Sequence, residues 1–245
     1  MRGAGFLSVA VGRRRFVRRR PAEAAAFNSE GNRRMKKTTW GLAAAAALLV
    51  AGSASAQVCA GFPIAENQGS IGGLASFPSG VNNFGVEGAF NFRGPFSANA
   101  GYIRSEETGD GGDSQDVFRV GAALDISSAT AGILPGVSVC PNVRADFASE
   151  SDVNSYLIPI GLGLGVSVPM GSQGMSLSPY AIPAAYIFHI SGDAGGIDFS
   201  DTETRFGIRG GADLNVDRFY FGGTVEWVNL PDQDAVFGVR AGIRF

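Results

Sequence analysis

Beyond Lys37 the chain contains no lysine. Soluble β-sheets normally guard their exposed faces and edges with lysine, so this lack argues against a sheet left open to water. The longest apolar run, Leu42 to Gly52, falls well short of the ~20 residues that a membrane-spanning helix needs. Helix signals are absent after residue 57, and the 36 glycines of the chain weaken helix interiors. There is one histidine and there are two cysteines. Nothing matches a nucleic-acid module, a defined metal loop or a cofactor motif, so neither metal nor cofactor is expected.

The formal charge of −2 averages two unlike pieces. Residues 1–56 hold 11 Lys and Arg against 2 acids, whereas residues 57–245 hold 9 Arg, no Lys and 20 acids. In the first piece, Met35-Lys36-Lys37 opens a short apolar run that ends on Ala54-Ser55-Ala56. A basic start, a short apolar centre and a small-residue end make a secretory signal peptide, here 35–56, cleaved before Gln57. Residues 1–34 then read as an upstream extension or disordered tail, with translation starting at Met35. Residues 57–68 read as an N-terminal periplasmic segment and 69–245 as the folded body.

In that body the apolar period is two rather than 3.6. The pattern predicts strands at 69–77, 84–92, 95–104, 116–127, 136–147, 156–169, 176–190, 204–216, 219–230 and 236–245. Most are longer than is usual in globular proteins and close to the roughly 9–11 residues of a tilted membrane strand. Tight turns at Arg93-Gly94 and Asp217-Arg218 alternate with long acidic stretches at 105–115 and 191–203. Short turns on one side and long loops on the other are the asymmetry of a membrane barrel.

The two phases of these strands differ. One carries apolar residues, including Ile158/Ile160/Leu162/Leu164, Tyr180/Ile182/Tyr186/Phe188 and the final set Phe237, Val239, Ala241, Ile243 and Phe245. The other carries small residues and the charges Glu87, Arg119, Asp125, Arg144, Asp146, Arg205, Arg209, Asp213, Glu226, Arg240 and Arg244. Five acids against six arginines nearly balance, as a closed interior requires if each buried charge is to find a partner. Apolar-phase aromatics gather near strand ends. Phe84, Tyr102, Phe118, Phe147, Tyr156, Phe188, Phe206, Trp227 and Phe237 fall at the outer rim; Phe92, Phe96, Tyr180, Phe219 and Phe245 fall at the inner one. Two aromatic girdles around an aliphatic band are what a bilayer selects.

The signal peptide, the alternating strands and the final Phe245 together resemble the small outer-membrane β-barrel proteins of Gram-negative envelopes, a porin-like family. The resemblance covers roughly 69–245. It implies an all-β fold, a single closed antiparallel transmembrane barrel of about ten strands, with eight as the alternative. It also implies a monomer in the outer membrane, among lipid and lipopolysaccharide. During insertion, its final strand would be read by the barrel assembly machinery through Phe237, Val239, Ala241, Ile243 and Phe245. No nucleic acid is expected as a partner. One barrel serves many jobs, so the resemblance does not name a function.

The charges offer two readings: a gate or selectivity ring of a narrow pore, or a structural plug of salt bridges. A tight turn at 217–218 would set Arg209 opposite Glu226, and a loop at 231–235 would set Glu226 opposite Arg240. Arg119, Arg144 and Asp146 would form a second cluster. The acids Glu106, Glu107, Asp110, Asp113 and Asp116, and Asp193, Asp198, Asp201 and Glu203, read as solvated loops suited to adhesion. His189, Ser191 and Glu203 are similar to the His-x-Ser and Glu of outer-membrane lipid A deacylases, although Gly192 stands where that family has Asn. The phase points His189 into the lumen. Cys59 and Cys140 are either one disulfide, drawing the N-terminal segment into the lower mouth, or two free thiols. The function expected is a non-enzymatic structural, adhesive or narrow-pore role. A lipid hydrolase and a soluble exported β-sandwich are the alternatives.

Overall fold

The computed structural model describes residues 57–59, 62–64, 68–92, 94–108, 113–150, 153–171, 174–193, 198–230 and 234–245. The extension 1–34, the signal segment 35–56 and Asp110 lie outside the described residues. Two short strands, β1 (Gln57–Cys59) and β2 (Phe62–Ile64), form a hairpin of their own. The barrel wall then follows as β3 (Gly69–Phe77), β4 (Val81–Asn91), β5 (Phe96–Glu107), β6 (Ser114–Leu124), β7 (Ser138–Glu150) and β8 (Val153–Gly165). It continues as β10 (Met175–Asp193), β11 (Asp198–Val216), β12 (Phe219–Val228) and β13 (Val236–Arg244), after a two-residue strand β9 (Val168–Pro169) that extends β8 against β10.

Each wall strand pairs antiparallel with the next, and β13 returns to β3, with Gly242 opposite Gly72 and Phe237 opposite Phe77. Ten strands therefore close a ring with no free edge in the membrane, where an unpaired backbone group would cost several kcal/mol. Gly69 and Phe245 complete the seam with reciprocal backbone bonds of 2.9 and 3.0 Å.

The outward phase is apolar and open. Phe118, Phe237 and Phe245 are 61, 63 and 71% exposed, values that only a lipid surrounding makes tolerable for so many aromatic rings. One cross-strand row sets Tyr102, Phe118, Phe147, Tyr156 and His189 side by side. Two residues above it the same face turns polar, with Arg104, Glu106, Ser114 and Asp116 exposed and bonded to one another or to Tyr102. The apolar band ends at that level.

The strand β10 departs from its expected phase. Tyr180, Ile182, Tyr186 and Phe188 are buried and point into the barrel, not to lipid. Its other phase, with Leu177, Ala185 and His189, faces out. Because β10 is apolar on both phases, period alone could not orient it. A second departure is the helix α1 (Ser127–Thr130) between β6 and β7, where no helix was expected. It starts because the Asp125 carboxylate accepts bonds from the Ser127 amide (2.7 Å) and hydroxyl.

The acidic stretch 191–203 is not a loop for most of its length. With 19 residues each, β10 and β11 stay paired up to Asp193 opposite Asp198. β8 accompanies β10 up to Gly192, so this arm outruns β12 alone, which ends opposite Gly207.

Prolines concentrate in one sector of the wall: Pro141 in β7, Pro159 in β8, and Pro179 and Pro183 in β10. The β7–β8 ladder skips from Val143–Ile160 to Asp146–Leu157, and the β8–β10 ladder from Ala181–Leu164 to Ala184–Gly161, with register unchanged. Pro159 and Pro183 sit in these gaps, where a missing N–H removes a ladder bond. In hydrogen–deuterium exchange of the refolded protein, amides of Ala145, Ile158 and Leu162 are expected to lose protection before those of Gly223 and Val239. Uniform protection around the ring would show that the gaps carry no consequence.

Candidate functional site

The lumen of this barrel is built from the polar phase, and its charges are held in direct contact. Arg119 on β6 donates to both carboxylate oxygens of Asp146 on β7, at 2.8 and 3.0 Å. Its remaining terminal nitrogen reaches Glu87 on β4 at 3.4 Å. Arg144 approaches the same Asp146 carboxylate at 3.3 Å and reaches across the lumen to Glu226 at 3.8 Å. Glu226 lies on β12, four strands around the ring from β7. On the far wall Arg240 grips both oxygens of Asp213, one of them at 2.8 Å, and lies 5.4 Å over the Tyr180 ring. Paired, two-pronged contacts of this kind suit a planar guanidinium in a water-poor interior.

Glycine makes two of these contacts fit. Glu87, Gly101 and Arg119 stand in one cross-strand row, as do Asp213, Gly222 and Arg240. The two charged side chains in each row meet over the glycine between them. A methyl group at Gly222 would fall 1.9 Å from an Asp213 carboxylate oxygen, and one at Gly101 would lie 3.2 Å from Glu87 Cγ. In the sequence these positions were only part of a small-residue phase.

Three of the eleven charges named from sequence stand outside this network. Asp125 is occupied at the start of α1. Arg205 pairs with Glu203 in the protruding arm. Arg244 donates to the Asp217 carbonyl at 2.5 Å, beside the turn into β12. The expected Glu226–Arg240 pairing is also corrected: Arg240 is opposite Gly222, and Glu226 is opposite Val236. The loop after β12 shifts the register by four residues from the expected one. Arg209 does stand opposite Glu226.

The cavity bounded by these charges is small. At about 130 Å³ it lies among Glu87, Arg119, Arg144, Arg209, Glu226 and Arg240, room for roughly four waters at ~30 Å³ each. Apolar clusters occupy the outer half: Ile103, Val117 and Ala148 on one wall, Tyr186, Phe188, Val228 and Leu230 on another. Sequence reasoning missed the second because β10 was turned outward. The informative signal was on β11, where Gly207 and Gly211 lie against the Tyr186 and Tyr180 rings.

His189 faces outward, not into the lumen. It stacks on Tyr156 with centroids 4.5 Å apart, and its Nδ1 is 2.8 Å from the Thr202 hydroxyl. Glu203 sits opposite Phe188, so its side chain leaves from the other face of the sheet and pairs with Arg205. Ser191, two residues along β10, shares the outward face of His189, so of the three residues of the hydrolase reading only Glu203 is turned away from the other two. Cys140 is fully buried and disulfide-bonded. Phe237, Val239, Ala241, Ile243 and Phe245 all lie on the exposed face of the closing strand. Among the described residues no group of His, Cys, Asp and Glu forms a metal site.

No family model and no curated relative matches the chain. Among solved structures it is similar to the N-terminal β-barrel domain of Pseudomonas aeruginosa OprF, at 12% identity over 74% of this chain and 98% of that one, with a TM-score of 0.37. It is similar to Ail, the attachment invasion locus protein of Yersinia pestis, at 14% identity over 74% and 100% of the two chains and a TM-score of 0.32. KdgM porin is matched at 13% identity over 72% and 99%, with a TM-score of 0.37. At such distances the chain's own geometry decides. Closed on itself, apolar outside and charged within, it is a ten-stranded transmembrane β-barrel of the outer-membrane type.

Proposed function

We propose that this protein is an exported envelope barrel whose lumen is a structural plug, not an open diffusion channel. Its role is to anchor and display an outer arm. The observation that carries this reading is the chain of contacts from Glu87 through Arg119, Asp146 and Arg144 to Glu226, which crosses the interior from wall to wall. A small barrel is normally filled by its own side chains, and here the fill is ionic at the middle and apolar toward the outer end. In this reading the signal segment 35–56 directs export and is removed. The bonded Cys140 and the sequence's other cysteine, Cys59, tether the N-terminal hairpin. The backbone of β1 lies beside β7 and β8, and that of β2 beside β4, which suits a hairpin that narrows the inner mouth.

The test is a planar-bilayer record of the refolded chain. The unmodified protein is expected to show no steady conductance. Arg144→Ala combined with Glu226→Ala, which removes the contact across the lumen, is expected to admit small ions. A stable open level in the unmodified chain would overturn the plug in favour of a pore.

A further inference from the structure

The ring has no free edge within the membrane, but the arm above it does. β10 is flanked by β11 on one side and by β8 on the other up to Gly192, opposite Val153. β11 is flanked by β12 only from Gly207 to Val216. From Asp198 to Arg205 it has β10 on one side and, among the described residues, no strand on the other. The last bond on that side is from the Asn229 amide to the Phe206 carbonyl, at 2.9 Å. In an antiparallel ladder the N–H and C=O of one residue point the same way, and successive residues alternate. Phe206 points away from β10, so Thr204, Thr202 and Ser200 do as well. Their backbone donors and acceptors form a continuous, solvent-exposed edge.

This edge is braced and charged. The His189–Thr202 contact and the Tyr156–His189 stack brace it at its centre. Asp198, Asp201 and Glu203 lie along it, against one arginine, Arg205. Acidic guards discourage pairing between two copies of the same edge, since acid would meet acid. The same charges favour an incoming strand that carries lysine or arginine.

We infer that the β11 edge from Ser200 to Thr204 receives an extended basic polypeptide segment as an added strand. Backbone bonds to Ser200, Thr202 and Thr204 would hold it, and its cations would face Asp201 and Glu203. Strand addition of this kind takes affinity from the main chain and selectivity from side chains. The inference is independent of whether the lumen conducts.

The experiment uses the full refolded protein in detergent micelles and two labelled ten-residue peptides, one alternating threonine with lysine and one threonine with glutamate. Fluorescence anisotropy should show binding of the lysine peptide alone. Thr202→Pro removes an N–H that points off the edge and leaves the β10 ladder bonds in place. It should weaken binding by at least about tenfold, or 1.4 kcal/mol. Thr202→Val keeps that N–H but loses the hydroxyl that meets His189, so its loss measures the brace alone, and Thr202→Pro should bind at least about fivefold more weakly than Thr202→Val. Asp201→Asn with Glu203→Gln should weaken binding several-fold. Heat-dependent gel mobility verifies folding of each variant. Equal binding to Thr202→Pro would reduce the effect to charge alone and overturn the added strand. So would absence of lysine-peptide binding, or self-association of the unmodified protein that Thr202→Pro abolishes.

Discussion

Replacing Asp146 with alanine is expected to cost the barrel about 3–5 kcal/mol, the range for breaking a buried ion pair by removing one partner. Asp146 is 1% exposed and is, among the described residues, the one carboxylate in contact with both Arg119 and Arg144. Without it two guanidiniums face each other, with only Glu87 and Glu226 at longer range, 3.4 and 3.8 Å. Urea-dependent refolding into lipid vesicles, followed by heat-dependent gel mobility, measures the loss. Removing Arg119 in the same chain should recover part of it, because one of the uncompensated charges goes too. An unchanged urea midpoint for Asp146→Ala would mean that the charges are solvated and the lumen is wetter than its geometry implies.

Adjacent glycines on β12 should respond in opposite ways to the same methyl group. Gly222→Ala places it 1.9 Å from the Asp213 carboxylate, which is fully buried in its pairing with Arg240. Backbone on a closed ring cannot retreat far, so the carboxylate must leave the guanidinium. The expected cost is again about 3–5 kcal/mol. Gly223 points to lipid, and a methyl group there meets nothing within 4 Å. Gly223→Ala should be neutral or stabilise by about 0.4–1 kcal/mol, since alanine restricts the unfolded chain. The two variants are compared by refolding yield and urea midpoint in one lipid. Equal effects would undo the assignment of the two faces.

The strands were legible because apolar alternation runs unbroken through most of the wall. The apolar and charged faces were legible wherever one phase held the charges, as on β11 and β12. The Asp217-Arg218 turn has one geometry, with Asp217 at a φ of 50°, and so fixed the row of Arg209 and Glu226. What failed had specific causes. The connection after β12 is long enough to allow several registers, and Arg240 moved to Asp213. On β10 neither phase was polar, so Tyr186 and Phe188 looked like lipid-facing rings. Asp125 continued the alternation of β6 on paper, but its short side chain satisfied the local amide of Ser127 and ended the strand instead.

The prolines of β7, β8 and β10 give the wall a mechanical direction. A ring bonded evenly around its girth would resist the lateral pressure of a bilayer equally from all sides. This one has a compliant sector, where Pro159 and Pro183 leave the ladders incomplete at the depth of Ile160 and Leu162. Any change in cross-section is therefore expected to fall chiefly on that third of the circumference. The remainder, from β11 through β13 to β6, carries Asp213, Glu226, Arg240, Glu87 and Arg119, while Arg144 and Asp146 stand on β7 at the gap itself, so the ion pairs of Asp146 with Arg119 and of Arg144 with Glu226 bridge the two sectors.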